Sequence, residues 1–198
     1  PRSSSAASDV YKRQCQIGCL LGPSGCGKTT VLRSIAGFEQ PSRGEISLNG
    51  KKLSGFKTHV DPEKRHIGMV FQDIALFPHL SVEENIQFGM RSWSHEKRKK
   101  RSQELLDLIG MSQFMKKYPH QLSGGQQQRI ALARAMAPKP SLLLMDEPFS
   151  SLDAELREQL AREVRLILKH ENISALLVTH DQNEAFAMGD DICVINKV

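Results

Sequence analysis

The residues best suited to chemistry form a glycine-rich segment near the start of the chain. Residues 22–29 read GPSGCGKT and fill the pattern G-x-x-x-x-G-K-[ST] completely. Glycines let the backbone wrap around phosphate groups with successive N–H groups pointing inward, and the amino end of the following helix adds positive charge. Lys28 is predicted to reach the β and γ phosphates, and the Thr29 hydroxyl to bind magnesium. The predicted nucleotide-phosphate site consists of Gly22, Pro23, Ser24, Gly25, Cys26, Gly27, Lys28, Thr29 and Thr30.

A second group of candidate residues follows a short apolar run at residues 142–145. A buried parallel strand here would deliver Asp146 at its carboxyl end, which is where open α/β sheets place their ligands. Asp146 is predicted to hold magnesium through water, and Glu147 to polarise the water that attacks the γ-phosphate. Strands that end in acidic residues are common by chance, so this interpretation depends on the phosphate-binding segment.

A third candidate site lies between these two. Residues 122–129 read LSGGQQQR and precede an alanine-rich helical run at residues 130–137. Ser123 is predicted to cap that helix, whose amino end is then a second anion site. Because the chain already has one phosphate-binding segment, this site is predicted to serve the nucleotide of another copy of the chain. Taken alone, the string indicates only a capped helix without a ligand.

The elements that must position these residues are short apolar strands alternating with helices. Asn49-Gly50 ends an alternating run and predicts a hairpin, and residues 82–137 show a helical and more polar pattern. The pattern predicts an α/β fold, a mainly parallel, doubly wound sheet interrupted by a helical insertion. The predicted strands are residues 16–21, 67–71, 142–145, 175–179 and 192–195, with a hairpin at 45–50 and a first helix at 29–36. A later helix is predicted to have one apolar face at Leu156, Leu160, Val164 and Ile167.

Composition limits the classes of function. The chain has 198 residues, of which 39% are hydrophobic and 25% charged, as in a globular domain and unlike a disordered or fibrous chain. No apolar run in the sequence approaches the roughly 18 residues that a membrane-spanning helix needs. The net charge of +5 is carried by residues 91–101, which hold six basic residues and one acid. This run is predicted to be a solvated helix face rather than a nucleic-acid site.

The cysteines do not form the pattern of a metal site. Cys15, Cys19, Cys26 and Cys193 include no C-x-x-C pair and have no histidine nearby at metal-ligand spacing. Reduced thiols in a cytosolic protein are therefore expected.

Residues 1–14 do not fit the pattern of the rest of the chain. A serine-rich tract is followed by DVYKRQ at residues 9–14, and a DNA string that encodes these six residues resembles the end sequence left by transposon-based sequencing libraries. We interpret residues 1–14 as a sequencing-adapter artefact, with a disordered tail as the alternative, and exclude them from the fold. The chain is then expected to be a fragment that begins near Cys15 and is cut at Val198.

The string at residues 122–129 resembles the signature motif of ATP-binding-cassette (ABC) ATPases, and further motifs of that family follow in the same order. Gln72, after the predicted strand 67–71, resembles the Q-loop glutamine. His180, after the strand 175–179, resembles the switch histidine. Taken alone, each of these two residues would indicate only a polar residue on the surface. The resemblance covers residues 15–198. The D-loop is matched by Ser151, Leu152 and Asp153, with Ser151 where alanine is more usual.

The resemblance implies a fold. The family is a P-loop NTPase with a mainly parallel core and an inserted helical subdomain. Residues 15–82 and 137–198 would form the RecA-like nucleotide-binding core, and residues 83–136 the helical subdomain that carries the signature. The family's antiparallel part is expected to be truncated at its N-terminal side. Tyr11 is the only aromatic residue upstream of the phosphate segment, where the family has a side chain that stacks on adenine.

The resemblance also implies a mechanism that uses ATP and Mg²⁺. Two cassettes would close head to tail around two ATP molecules, each held by Lys28 and Thr29 of one chain. Glu147 would be the general base, His180 would contact the γ-phosphate, and Gln72 would sense it through magnesium and the attacking water. The magnesium residues would be Thr29, Gln72 and Asp146. The residues acting on the other chain's nucleotide would be Ser123, Gly124, Gly125 and Gln126, and the dimer contact would include Ser151, Leu152 and Asp153.

Within the family, residues 71–86 resemble subunits of bacterial importers. Residues 37–41, 118–123 and 147–153 look most like the ferric-iron branch and the polyamine branch. The chain is thus predicted to be the ATPase of an importer, with ferric iron as first cargo and polyamine as second. Its partners would be a second cassette in a homodimer, a transmembrane permease, and a periplasmic or lipid-anchored substrate-binding protein. It would lie peripherally on the cytoplasmic face of the inner membrane, with no nucleic acid bound.

A further feature bears on the permease. The spacing of the apolar side chains within residues 71–86 does not let all of them face the core from one helix or one strand. They are therefore predicted either to border a groove for the permease or to pack internally. These residues are Ile74, Leu76, Phe77 and Leu80.

Two other classes of function compete with this prediction. The first is a soluble ABC ATPase of DNA repair or translation; repair enzymes of that type contain a long coiled coil, whereas Lys28 and Asp146 are only 118 positions apart. A second cassette or a charged linker beyond Val198 would indicate a translation factor. The second class is a nucleotide-binding regulator without turnover, against which Glu147 and His180 argue.

Overall fold

The computed structural model describes residues 15–195. The prediction for residues 1–14, Tyr11 included, lies outside the described residues, as do residues 196–198 of the predicted core. The described residues form eight strands and six α-helices. The strands are β1 Ile17–Leu21, β2 Ile46–Leu48, β3 Lys51–Gly55, β4 Thr58–His59, β5 Ile67–Val70, β6 Leu142–Asp146, β7 Ala175–Thr179 and β8 Asp191–Val194. The helices are α1 Lys28–Ala36, α2 Val82–Gln87, α3 His95–Leu108, α4 Gly124–Met136, α5 Ala154–His170 and α6 Gln182–Met188.

The centre of the fold is a parallel sheet of five strands in the order β5-β6-β7-β1-β8. β6 and β7 are buried at every position, as expected for apolar runs in a sheet covered on both faces. Successive residues of β6 serve opposite faces: Leu142 and Leu144 share a cluster with Leu32 of α1, whereas Leu143 and Met145 join the larger core with α4, α5 and α6. The predicted parallel, doubly wound sheet is confirmed.

A smaller antiparallel sheet, β2-β3-β4, follows α1 in the sequence. Asn49 and Gly50 form the predicted two-residue hairpin turn, with φ of 51° and 74°. Arg65 ties this sheet to α1, because its guanidinium donates to the carbonyls of Ser34 and Ile35 at 3.0 and 2.9 Å and to Ser54 Oγ at 2.7 Å. The helix that follows the phosphate-binding segment is thereby anchored at its carboxyl end.

The helices α2, α3 and α4 occupy the predicted helical and polar stretch. α4 is buried on most of its surface and contacts α2, α3 and β5. Arg129 of α4 forms an ion pair with Glu163 of α5 at 2.6 Å, and Arg101 of α3 pairs with Glu171 at the end of α5. These two ion pairs join the helical stretch to the central sheet's helix layer.

The basic run at residues 91–101 is a solvated surface only in part. Arg101 is buried against Glu171 and Glu104, because it lies on the side of α3 that packs inward with Leu105. Lys97, Lys99 and Lys100 are at least partly exposed, on the same helix as the acidic residues Glu96, Glu104 and Asp107. The exposed charge of α3 is therefore mixed in sign.

The apolar face of α5 differs by one residue from the prediction. Leu160 and Val164 are buried and Ile167 packs against the core, but Leu156 is 36% exposed. The buried face continues through Ala161 and Leu168 instead. Leu156 lies in the first turn of the helix, beside Gly125 of α4. A Cβ added at Gly125 would lie 3.5 Å from Cδ2 of Leu156.

None of the helices within residues 15–195 has both the length and the apolar character needed to cross a membrane.

Candidate functional site

The glycine-rich segment connects β1 to α1 and is shaped by its glycines. Gly25 and Gly27 have φ of 79° and 93°, in the left-handed region that residues with a Cβ rarely adopt. Gly22 has no room for a side chain, because a Cβ there would lie 2.3 Å from the carbonyl oxygen of Ile195. Backbone conformation and close packing therefore both require glycine in this loop.

Lys28 is buried inside the loop that precedes it. Its ammonium donates to the carbonyl oxygens of Gly22 and Pro23 at 2.7 and 2.9 Å. The charge is held at the concave side of the backbone turn, next to the amino end of α1. This combination of an ammonium and a helix N-terminus suits a phosphate group.

Thr29 and Asp146 bring the first and second candidate groups together. The Thr29 hydroxyl donates to Asp146 Oδ1 at 3.0 Å, although 117 positions separate the two residues. Burial raises the pKa of Asp146, and the hydrogen bond from Thr29 opposes that effect only in part. A carboxylate that is costly to ionise, beside a hydroxyl oxygen, offers the hard oxygen ligands that Mg²⁺ prefers, and a bound cation would stabilise its charged form. These residues fit a magnesium ion.

Glu147 and His180 form the next pair at the same edge of the sheet. Glu147 Oε2 lies 3.0 Å from His180 Nδ1, which leaves Nε2 outside the pair. The backbone of Glu147 has φ of 43°, and its N–H donates to the carbonyl of Val178 in β7 at 2.9 Å. The left-handed conformation turns the chain sharply at the end of β6.

The strand order explains why these groups meet. β5, β6, β7 and β1 are neighbours, and parallel strands end at the same edge of a sheet. Gln72 follows β5 and is exposed, Asp146 ends β6, His180 follows β7, and Gly22 follows β1. The structure therefore brings four of the predicted site segments to one edge.

The predicted signature segment lies at the amino end of α4. Ser123 caps the helix: its Oγ accepts from the Gln126 N–H at 3.4 Å, and Gln126 Oε1 accepts from the Ser123 N–H at 2.9 Å. Gly124 and Gly125 begin the helix beside Leu152 and Leu156. Within residues 15–195, no hydrogen bond joins Ser123 or Gln126 to the phosphate loop. The structure thus forms the predicted capped helix and brings its first turn beside Leu152 of the predicted D-loop.

The predicted D-loop runs from the end of the turn after Glu147 into α5. Ser151 is exposed, Leu152 is buried, and Asp153 caps α5 by accepting from the Leu156 N–H at 3.0 Å. Sequence reasoning did not single out the side chains that hold this segment and the His180 loop together. They are Arg157, Thr179, Asp181 and Glu184, and the only signal for them was their nearness in sequence to predicted residues.

Comparisons with known proteins identify the family of this chain. The profile of the family described as ABC transporter matches residues 9–150, a match that begins inside the segment 1–14. The Fe(3+) ions import ATP-binding protein FbpC 2 of Rhizobium meliloti is 49% identical over 96% of this chain and 47% of its own length. The putrescine transport ATP-binding protein PotG of Escherichia coli is 49% identical over 95% of this chain and 49% of its own. The chain thus spans about half the length of these curated relatives.

Solved structures show the same fold. The dimeric structure of MJ0796, described as a bacterial ABC transporter cassette, has a TM-score of 0.78 and 32% identity over 93% of this chain and 83% of its own. A post-hydrolysis state of that cassette, bound to ADP and Pi, has a TM-score of 0.76 and 34% identity over 92% of this chain and 82% of its own. The predicted cassette fold of the P-loop NTPases is confirmed. With a matching family profile, similar relatives and the same fold, the chain belongs to the ABC transporter family and carries its ATP-binding cassette.

Proposed function

We propose that this chain hydrolyses ATP as the energising subunit of a bacterial ABC importer. The observation that carries the proposal is the Glu147–His180 pair, 3.0 Å apart, beside the Thr29–Asp146 pair, also 3.0 Å apart. Both pairs lie at one edge of the sheet, which supports Glu147 as the base and Thr29 with Asp146 as magnesium ligands. The ADP- and Pi-bound relative of the same fold supports hydrolysis as the reaction.

In this proposal the phosphate loop binds the nucleotide first. Its N–H groups surround the phosphates, and Lys28, held by two loop carbonyls, turns its ammonium to the β and γ phosphates. The magnesium ion, where bound, supplies positive charge that offsets charge on the phosphates. The residues that would hold it are Thr29 and Asp146 with Gln72. The loop residues that bind ATP are Gly22, Pro23, Ser24, Gly25, Cys26, Gly27, Lys28, Thr29 and Thr30.

Glu147 then activates water. Its carboxylate accepts a proton from the water as the water oxygen bonds to the γ-phosphorus, and the bond from that phosphorus to the bridging oxygen breaks. ADP and inorganic phosphate leave, and the proton passes to solvent. His180 orients the Glu147 carboxylate through Nδ1 and contacts the γ-phosphate.

A second copy of the chain completes the site. The capped amino end of α4 supplies an anion site that makes no hydrogen bond to its own phosphate loop within residues 15–195. Its exposed position and the dimeric structure of MJ0796 support a homodimer closed around two ATP molecules. The residues contributed to the partner's nucleotide are Ser123, Gly124, Gly125 and Gln126, with Ser151, Leu152 and Asp153 at the dimer contact.

Two units are proposed within the cassette. Residues 15–82 and 137–198 form the nucleotide-binding core in this proposal, and residues 83–136 the helical subdomain. The secondary structure supports this division, because residues 83–136 contain helices and no strand, whereas the strands of the central sheet lie within residues 15–82 and 137–195.

The segment after Gln72 is the proposed contact with a permease. Leu76 is buried in the core, whereas Ile74, Phe77 and Leu80 are only partly buried. Asn85 fixes the segment through three hydrogen bonds. Its Oδ1 accepts from the Phe77 N–H at 2.9 Å, and its Nδ2 donates to the carbonyls of Phe77 and Leu80 at 3.1 and 3.0 Å. A partly apolar surface held in one conformation suits a docking helix.

The cargo is proposed to be ferric iron first and a polyamine second. Relatives named for ferric iron and for putrescine share the same 49% identity, so the choice falls to the permease and to a periplasmic or lipid-anchored substrate-binding protein. The chain would then lie peripherally on the cytoplasmic face of the inner membrane. The alternative of a repair or translation ATPase gains no support from these relatives, which are named for solute transport.

The test combines ATP hydrolysis with light scattering. Glu147→Gln is expected to abolish hydrolysis and to form a dimer with MgATP, because the bound ATP that holds the closed dimer together is no longer hydrolysed. Adding Ser123→Arg is expected to prevent that dimer while ATP still binds. Glu63→Gln, an exposed carboxylate in the turn Pro62–Lys64, is the matched control and is expected to behave as wild type.

Two outcomes would contradict the proposal. Hydrolysis by Glu147→Gln at the wild-type rate would remove Glu147 from the role of base. A Glu147→Gln protein that binds ATP yet stays a monomer would remove the role of the signature segment in a second chain's site.

A further inference from the structure

A buried polar cluster lies directly behind His180. The Thr179 hydroxyl donates to Glu184 Oε2 at 2.5 Å and accepts from the Asp181 N–H at 3.0 Å. Glu184 is only 3% exposed, and burial raises its pKa. The two residues that flank His180 are therefore both held by hydrogen bonds, and the loop that presents the imidazole is fixed from behind.

Arg157 connects this cluster to a different loop. From the first turns of α5, its Nη1 donates to Asp181 Oδ2 at 3.0 Å and its Nη2 donates to the Leu152 carbonyl at 2.8 Å. Its Nε lies 3.6 Å from Glu184 Oε1. One planar guanidinium thus holds the segment Ser151–Asp153 and the loop of His180 at the same time, which a lysine ammonium cannot reproduce.

These contacts close a circuit around Glu147. The turn that follows Glu147 is held by two backbone hydrogen bonds. The Ser150 N–H donates to the Glu147 carbonyl at 3.2 Å, and the Leu152 N–H donates to the Phe149 carbonyl at 3.1 Å. Arg157 carries the connection from Leu152 to Asp181, whose neighbour His180 returns to Glu147 at 3.0 Å. A displacement of the segment Ser151–Asp153 must therefore move His180 relative to Glu147, unless a link in the circuit breaks.

We propose that Arg157 is a positioning residue for hydrolysis, which holds His180 against Glu147 and ties that pair to the segment Ser151–Asp153. The inference rests on the proposed ATPase function. Because that segment lies at the proposed contact with the second cassette, Arg157 makes the alignment of the base depend on the partner chain. It acts through Leu152 and Asp181 and touches no phosphate itself.

Three variants separate this role from a purely structural one. Arg157→Ala removes both links, Arg157→Lys keeps the charge but loses the fork, and Asp181→Asn loses the charge pair. The amide introduced by Asp181→Asn retains an oxygen that can cap α6, as Asp181 Oδ1 does for the N–H groups of Asn183 and Glu184 at 2.7 and 3.2 Å. Arg162→Ala is the matched control, because Arg162 lies on the same helix, is 69% exposed and pairs with Glu158.

The measurements are kcat for ATP hydrolysis, the dissociation constant of a fluorescent ATP analogue with Mg²⁺, and the melting temperature. Arg157→Ala is expected to lower kcat about 10- to 100-fold, as misplacement of a reacting group does, with the dissociation constant changed by less than about twofold. Arg157→Lys is expected to regain the melting temperature but not kcat. Arg157→Ala combined with Asp181→Asn is expected to lower kcat no further than Arg157→Ala alone.

The inference is overturned if Arg157→Ala and Arg162→Ala have the same kcat. It is equally overturned if Arg157→Lys regains kcat together with the melting temperature, since charge alone would then suffice. Failure of the proposed function is distinguishable, because wild-type protein would then hydrolyse no more ATP than Glu147→Gln, and the inference would fall with it.

Discussion

The backbone at Glu147 is held in a left-handed conformation, with φ of 43°, that costs free energy for any residue with a Cβ. Hydrogen bonds to Val178 and from Ser150 hold this conformation on both sides of the residue. The pattern of an apolar strand followed by Asp-Glu predicted the two carboxylates but not this conformation, because it arises from contacts with β7. The same limitation explains why Arg157 was missed: a residue that acts by joining two loops has no pattern of its own in the sequence.

Gly22→Ala is expected to destabilise the protein and to abolish nucleotide binding. The added Cβ would lie 2.3 Å from the carbonyl oxygen of Ile195, so either the loop or the end of β8 must move. Overpacking of this kind costs about 1–3 kcal/mol. Thermal unfolding and nucleotide titration measure the two effects.

The matched control is Gly124→Ala, where the nearest neighbour of an added Cβ is Leu152 Cδ2 at an ordinary 3.8 Å. Its melting temperature is expected to stay close to that of wild type. Equal destabilisation by both substitutions would contradict the account of the loop.

Asp190→Asn is expected to lower the stability of the protein above about pH 3.8 and to make that stability less dependent on pH in acid. Burial opposes ionisation of Asp190, but hydrogen bonds from Lys169, the Ile17 N–H and Arg165 outweigh it and lower the pKa from 3.8 to about 2. The stabilisation is therefore fully present above pH 3.8 and is lost as the pH falls through about 2. After solvent screening it amounts to about 1–2 kcal/mol.

Chemical denaturation across this pH range measures the effect as the slope of the unfolding free energy. The Asp190→Asn protein is expected to show a flatter slope than wild type between the two pKa values. Glu63→Gln serves as control, because Glu63 is an exposed carboxylate in the turn Pro62–Lys64. A slope unchanged by Asp190→Asn would show that other carboxylates carry the acid sensitivity.

At the scale of elements, the apolar pattern of the sequence predicted the positions of strands whose ends do not depend on tertiary contacts. The strands β1, β5, β6 and β7 were found within one residue at each end, since each is a short apolar run next to a turn signal. The prediction erred where an element's surroundings determine burial. Arg101 is buried because α3 packs on the end of α5, a contact that the local sequence does not show. Leu156, in the first turn of α5, is 36% exposed although it continues the apolar pattern of the helix.

Glu171→Ala is expected to lower the unfolding free energy by about 3 kcal/mol. The substitution leaves the guanidinium of Arg101 buried, with Glu104 at 3.7 Å as its remaining partner, and an uncompensated buried charge is costly. Urea unfolding monitored by circular dichroism measures the loss.

Replacing both partners distinguishes the pair from simple loss of packing. Arg101→Leu combined with Glu171→Leu is expected to be more stable than Glu171→Ala alone, because no charge then remains buried. Glu158→Ala, which breaks the exposed pair with Arg162, is the control and is expected to change stability by less than about 0.5 kcal/mol. A double variant as unstable as Glu171→Ala would contradict the electrostatic explanation.

At the scale of the whole molecule, strand order makes the candidate site. The order β5-β6-β7-β1 puts four separate loops side by side, although their residues are spread from Gly22 to His180. Sequence pattern predicted parallel strands, and the resemblance to ABC ATPases supplied the expectation that these particular loops meet. Periodicity alone could not have ordered the strands, since any order satisfies the same apolar runs.

MgATP is expected to stabilise the whole protein through this site. At 100 times its dissociation constant, a ligand that binds only the folded state adds about 2.7 kcal/mol to the unfolding free energy. Lys28→Ala is expected to remove most of that gain, whereas Lys64→Ala, an exposed lysine, is expected to keep it. Thermal unfolding with and without MgATP provides the measurement, and stabilisation that survives Lys28→Ala would place the nucleotide elsewhere.

The pairing of β5 with β6 has a consequence for how such a protein can diverge. Val70 pairs with Met145 and Ile67 with Leu142, so the chain between these parallel strands, including α2, α3 and α4, is one long excursion that leaves β5 at one edge of the sheet and enters the adjacent strand β6 at the opposite edge. An insertion at an exposed position of that excursion changes none of the residue pairs between β5 and β6. The proposed permease contact therefore lies in a segment that can vary while Asp146 and His180, which lie outside it, keep their positions at the edge of the sheet.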